Sequence, residues 1–243
     1  MARNNTIFQE SLRRGHNFAW DRQWPQAIAE YRRALAEFDN DPVVWISLGL
    51  ALSEARRLPD AKDAYRHASD LQPENLAVQQ KLGEIYEKLG EVESALQAYF
   101  FLANGLQKSD SPASAVDAWR SILRLQPAHV ESRMALADLL ERLKREAEAA
   151  QENVMLARLL YERGRGPEAL ERARHALELD SRNGEARALI TSLQSEAPLA
   201  NQPVAPVPLP VVTDYESPLH DTAQRVIARL AEDVLARGRL SEV

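Results

Sequence analysis

The sequence has no cysteine, only 9 glycines among 243 residues and an aromatic content of 6%. The missing cysteine excludes a disulfide framework, a thiolate nucleophile and thiolate metal ligation. Scarce glycine and aromatic residues, beside recurrent Ala, Leu, Glu, Arg and Gln, argue against a sheet and for an all-α chain. No run of about 18 apolar residues is present, so no segment reads as a membrane-spanning helix. The opening MARNNTIFQESLRRG lacks the apolar stretch of a secretory signal, and a cytoplasmic location is the resulting expectation. Positive charge is also in deficit, with 30 Lys and Arg against 36 Asp and Glu and a net charge of -6. Such a field repels a phosphate backbone, so nucleic acid is not an expected partner.

What is present is 45% hydrophobic residues and 27% charged ones, ordinary for a folded chain with a core. The stretch VWISLGLAL, residues 44–52, has seven apolar residues of nine in a chain of mean hydropathy -0.41. At about 100° per residue, Trp45, Leu48, Gly49 and Leu52 share one helix face, while Ile46 and Leu50 fall on an adjacent strip.

The chain repeats itself. Ala27, Ala61 and Ala95 stand 34 residues apart, followed by Tyr31, Tyr65 and Tyr99; Gly15, Gly49 and Gly83 keep the same step, as do Phe18, Leu52 and Tyr86. A glycine inside a helix costs roughly 1 kcal/mol relative to alanine, so its recurrence calls for a close helix–helix approach. Pro25, Pro59, Pro112 and Pro167 each stand where a new helix begins, a position that tolerates the missing N–H. Beyond residue 95 the anchor alanines are Ala115, Ala149 and Ala169, spaced by 20, 34 and 20 residues, which defines a larger period of 54. Residues 76–129 and 130–183 read as two three-helix units, in which a middle helix over about 91–109 or 146–164 closes one repeat and opens the next.

These anchors resemble the tetratricopeptide repeat family, whose pattern runs W-x2-L-G-x2-Y, A-x3-F and P. Residues 42–75 match best, with Trp45, Leu48, Gly49, Leu52, Ala61, Tyr65, Ala68 and Pro73; only the first tyrosine position departs, taken by Leu52. The resemblance covers about residues 8–195, in about six repeats. It implies an α-solenoid of helix-turn-helix repeats in a right-handed superhelix, with the first helix of each pair lining a concave ligand groove. On that basis residues 1–195 form the solenoid with a capping helix over 183–195, residues 196–216 with five prolines form an extended linker, and residues 217–243 form an amphipathic helix.

No catalytic constellation is visible. His16, His67, His129, His175 and His220 lack metal-ligand spacing, and ERGRGPEAL at 162–170 lacks the Lys-Ser/Thr of a phosphate loop. No metal and no cofactor are expected. Placed on the implied groove, Leu12, Val43, Ile46 and Leu50 make an apolar strip in the first two repeats, with Trp20 nearby and His16 at the position that matches Leu50. Glu84 and Glu87, then Glu131, Asp138 and Glu141, continue it as an acidic side with Phe100 and Met134 interspersed. Chaperone-tail receptors of the family grip a C-terminal carboxylate with Lys, Asn and Arg; the matching positions here are Leu12, His16, Ser47, Ala77 and Lys81, so such a clamp is not expected.

The expected function is a non-catalytic adaptor or scaffold that binds a peptide or helix of another protein in the groove, the acidic stretch favouring Lys or Arg. The alternative is a self-associating structural subunit. Its C-terminal helix, with Leu219, Ala223, Val226, Ile227, Leu230 and Val234 on one face, would dock in its own groove or in that of a second copy.

Overall fold

The computed structural model describes residues 4–109 and 112–200, with side chains to residue 195. Among them are eleven α-helices and no strand. In chain order these are α1 (Asn5–Trp20), α2 (Trp24–Glu37), α3 (Pro42–Glu54), α4 (Leu58–Leu71), α5 (Leu76–Leu89), α6 (Val92–Lys108), α7 (Pro112–Leu125), α8 (Val130–Arg142), α9 (Glu146–Glu162), α10 (Gly166–Leu179) and α11 (Gly184–Ala200). None is long and apolar enough to cross a membrane. The helix expected over 183–195 is α11, which continues to Ala200; the linker residues 201–216 and the helix expected over 217–243 lie outside the described residues.

Two kinds of connection join the helices. Helices that open a hairpin begin with a side-chain cap: Asn4 accepts from the N–H groups of Thr6 and Ile7, Asp41 from those of Val43 and Val44, and Asn75 from that of Val78. His129 Nδ1 does the same for Ser132. Such caps satisfy donors that the first helical turn leaves orphaned. Second helices begin without one. There a left-handed residue, Arg22, Arg56, Gly90, Lys144 or Gly164, turns the chain at φ between 57° and 75°. The next amide then reaches back to a carbonyl five residues earlier, as from Gln23 to Phe18, Arg57 to Leu52 and Glu91 to Tyr86, at 2.8 to 2.9 Å. The aromatic or leucine anchors of the 34-residue step are thus also the carbonyls that close each turn.

Glycine explains how close the paired helices come. A Cβ built on Gly49 would lie 2.8 Å from Tyr65 Cδ2, on Gly15 2.6 Å from Tyr31 Cε1, and on Gly83 2.6 Å from Tyr99 Cε1. The three tyrosines are buried, so no ring can swing outward to make room. From α1 to α10 each helix packs on its sequence neighbours, α1 also touches α3, and α11 adds Ala186 and Leu193 to the last clusters, so the core is a succession of apolar layers, as stacked repeats require.

The middle helices of the two three-helix units are α6 and α9, each 17 residues long where their neighbours have 13 or 14. Each packs against the helix before and the helix after it. The 54-residue step also repeats a polar contact. In the first unit Tyr99 Oη donates to Glu87 Oε2 at 3.1 Å, and both Arg124 amino groups bind the same carboxylate. In the second, Asn153 Nδ2 donates to Glu141 Oε1 at 3.3 Å, and His175 Nε2 lies 2.9 Å from that oxygen. Glu141 and Asn153 are Glu87 and Tyr99 moved on by one unit; the cation from the third helix is arginine in one and histidine in the other.

That difference sets their pH response. Hydrogen bonding to Arg124, against the opposing effect of burial, holds the Glu87 carboxyl below its ordinary range. Its contribution is present above the unfolded carboxyl pKa and is lost as pH falls through the folded value. Burial disfavours the His175 cation, but bonds to Glu141 and Glu178 outweigh it and leave the pKa above that of a free histidine. Its contribution is full below about pH 6.5 and is lost as pH rises through the folded value.

Two outcomes are expected. In urea titrations Gly49→Ala loses about 1–3 kcal/mol of stability through overpacking, in spite of alanine's better helix propensity; an unchanged midpoint would show that the Tyr65 ring can yield. His175→Gln is less stable than the parent at pH 5.5, and the difference shrinks toward pH 8.5, whereas a pH-independent difference would show that the histidine acts only by packing.

Candidate functional site

The apolar strip is assembled by two adjacent helices. Leu12, His16 and Trp20 come from α1, and Val43, Ile46 and Leu50 from α3, one helical turn apart or close to it, so that each set shares a flank. The set divides by burial. Trp20 is 89% exposed, Val43 56% and Leu50 46%, whereas Leu12 and Ile46 are half-buried against the first core layer. His16 is exposed and meets Tyr31 edge-on at 5.6 Å between ring centres. Leu12 and Ile46 therefore form a supported base, and Trp20, Val43 and Leu50 the part that water touches. With Leu71, these three are the large apolar residues left exposed in the first two hairpins.

The acidic continuation behaves differently from a free acidic face. Lys81 Nζ binds Glu84 Oε2 at 2.9 Å, and Gln80 Nε2 donates to Glu84 Oε1 at 3.2 Å. Glu87 is taken by Arg124 and Tyr99. In the second unit Glu141 is held by Asn153 and His175. These carboxylates are matched by cations of the same molecule, which lowers their attraction for a partner's Lys or Arg. The α5 and α7 side chains still leave a cavity of about 280 Å³, walled by Gln80, Lys88 and Asp117 as well as the Glu87–Arg124 pair.

Phe100 and Met134 are half-buried at the edges of the second and third core layers. Phe100 packs edge-on against Trp119 at 5.4 Å and His129 at 5.2 Å, and Met134 packs into the third core layer. The reason is the sharing of α6. Tyr99 faces Gly83 of α5, and the next residue, Phe100, turns toward α7, so a helix with two partners buries two flanks. Sequence reasoning also missed Arg124 as the mate of Glu87. The two are 37 residues apart, and only the doubled Glu87/Glu141 and Tyr99/Asn153 spacing signals that this carboxylate has a fixed role.

Among the described residues no group of three or more His, Asp or Glu could hold a metal ion. The groups present can offer an apolar surface, hydrogen bonds and paired charges.

Comparison with known proteins follows the same lines. The tetratricopeptide repeat family model matches residues 46–100 and again 102–153. Superkiller complex protein 3 of Mus musculus is 28% identical over 74 residues, which cover 30% of this chain and 5% of that protein. Tetratricopeptide repeat protein 37 of Xenopus laevis is 28% identical over 88 residues, 36% of this chain and 6% of that one. The chain thus spans only about a twentieth of these relatives. Among solved structures, the TPR2B domain of yeast Sti1 in its pHsp70 complex superposes with a TM-score of 0.45 at 15% identity, covering 51% of this chain and 98% of that one. The TPR domain of Arabidopsis OM64 gives 0.42 at 15% identity, covering 49% and 94%. The two successive matches to the tetratricopeptide repeat model fall within residues 46–153, where the hairpins and the contacts of Gly49 with Tyr65 and of Gly83 with Tyr99 repeat in the same way.

Proposed function

We propose that the chain is a non-catalytic adaptor whose first two hairpins receive an apolar segment of another protein, an amphipathic helix or short peptide, along the α1–α3 flank. Tetratricopeptide repeats generally mediate protein–protein interaction, and the two matches to that model supply the general reading. The observation that supports the particular surface is the exposure of Trp20, Val43 and Leu50 on neighbouring helices above the half-buried base of Leu12 and Ile46. Scaffold packing accounts for Leu48 and Leu52, which are sealed, but gives no reason for a tryptophan left almost wholly in water. The tryptophan is the natural anchor, since aromatic side chains dominate interface energies.

An occupant of this surface is held mainly by apolar burial. Its affinity therefore changes little with salt, in contrast to a partner recruited by the carboxylates of α5. Residues 219–235 of the chain itself carry an apolar stripe of the required kind and are a second possible occupant, from the same or another copy.

The test is affinity capture with the parent chain, Leu50→Lys and Trp20→Ala side by side, with helicity checked by circular dichroism. Both positions are exposed, so the fold is expected to survive. Loss of the same captured protein from both variants, by tenfold or more, supports the surface; full retention by both removes it. Equal sedimentation of the parent chain and of a Val226→Asp, Leu230→Asp double variant would dismiss the self-docking occupant between copies.

A further inference from the structure

A second cleft lies on the other flank of α3, away from Val43, Ile46 and Leu50. It opens between α2 and α4, has a volume of about 480 Å³, and is floored by Trp45, Leu48 and Leu52. The same cleft recurs one repeat later between α4 and α6, above α5, with a volume of about 280 Å³. Their linings are in register. Arg32 corresponds to Arg66, Leu48 to Leu82 and Ala64 to Ala98, each 34 residues on. The backbone arrangement is common to both, so differences in lining report what the first cleft has beyond the needs of the scaffold.

Three of those differences give the first cleft an indole and two carboxylates, while Leu35, Ala36, Leu52 and His67 stand where the second has Ser69, Asp70, Tyr86 and Phe101. Where the second cleft has Gln79, Ser94 and Gln97, the first has Trp45, Asp60 and Asp63. The indole is fixed in place: its Nε1 donates to the Asp39 carbonyl at 2.7 Å, and the His67 ring stacks on it at 4.5 Å with an interplanar angle of 27°. The wall is thus preorganised, which lowers the ordering cost of binding. Asp60 is already bound by Arg57. Asp63 on α4 and Arg32 on α2 face the same cleft from opposite walls, yet neither has an ion-pair partner among the described residues. Two opposite charges that share a cleft without meeting leave room for something between them.

We propose that this α2–α4 cleft docks an extended basic segment of a partner protein, with an arginine or lysine side chain directed to Asp63 and laid against the Trp45 indole. Arg32 carries five N–H donors and no acceptor, which suits it to the backbone carbonyls of such a segment. A cation beside an indole gains from the ring quadrupole, and Asp63 supplies the countercharge. Asp60 is held by Arg57 and Asp39 has a partner of its own, so Asp63 is the carboxylate that this lining offers to a cation. This surface is separate from the α1–α3 flank and does not depend on it.

The test uses the full chain and a capped peptide, acetyl-Gly-Arg-Ala-Arg-Gly-amide, beside the same peptide with glutamate in place of arginine. The readout is the Trp45 indole N–H resonance, identified by its loss in Trp45→Phe. The arginine peptide is expected to shift this resonance saturably, with a dissociation constant on the order of millimolar for so short a ligand, and to leave that of Trp20 in place. Asp63→Gln, which copies the Gln97 of the second cleft, weakens binding by about threefold to fivefold. Leu50→Lys leaves it unchanged, so failure here is distinguishable from failure of the α1–α3 reading. Absence of a saturable shift, an equal response to the glutamate peptide, or full binding by a folded Asp63→Gln chain would each overturn the proposal.

Discussion

A tyrosine ring lying where a methyl group cannot fit is the contact on which the molecule depends. At Gly15, Gly49 and Gly83 the first helix of a hairpin is pressed so near its mate that the ring of Tyr31, Tyr65 or Tyr99 fills the space of a missing side chain. Because the ring is fixed, so are the separation and the rotation of the two helices. The same turn then carries one left-handed residue and one long backpointing hydrogen bond in each hairpin. Rotation about the helix axis is the consequential variable, since it decides which side chains face in. With Gly49, Leu48 and Leu52 committed inward, Val43 and Leu50 must lie outward whatever their hydrophobicity.

A helix with two partners obeys a different rule. In α6 and α9 both flanks are packed, so small residues replace the glycine: Ala103 and Ala157 stand where Gly15, Gly49 and Gly83 stand earlier, and both are buried. The facing residue also departs from tyrosine, becoming Trp119 and Ala173. The loss of the tight ring contact is accompanied by a polar one, in which a carboxylate from the first helix of a unit is held by groups from its second and third. A buried or half-buried charge is tolerable only when paired, so Glu87 and Glu141 fix the third helix as firmly as they are fixed by it.

The scaffold was legible in the sequence because its determinants recur. Six alanines in phase, prolines at helix starts and the step from 34 to 54 residues pointed to stacked helices with middle ones near 91–109 and 146–164, where α6 and α9 lie. Those signals act through the backbone and through nearest neighbours, so spacing alone carries them. The proposed surface was only partly legible. Exposure of Leu50 and Trp20 follows from helix rotation, which the repeat fixes. The fate of Glu87 and Phe100 follows from which residue of a distant helix arrives opposite, Arg124 in one case and Trp119 in the other. Neither has a partner at the 34-residue spacing, and the shared helix that brings them together breaks the simple pairing on which a groove reading relies.

The apolar run VWISLGLAL can now be divided among its neighbours. A helix that is hydrophobic all round is ordinarily buried all round, and α3 has three neighbours in α1, α2 and α4. Leu48, Gly49 and Leu52 are consumed by the hairpin, and Ile46 half covers itself against the first core layer. Trp45 spends its N–H on the Asp39 carbonyl and one face on His67, so only part of it serves the core. Val43 and Leu50 serve none of these contacts. Two flanks of one helix therefore present surplus to the outside, one aliphatic and uncharged, the other aromatic and bordered by carboxylates. Because apolar burial is insensitive to salt while charge pairing at a surface is screened by it, the two surfaces differ in the kind of partner they can hold. A single short helix in this way carries two separable surfaces without any change to the repeat that supports it.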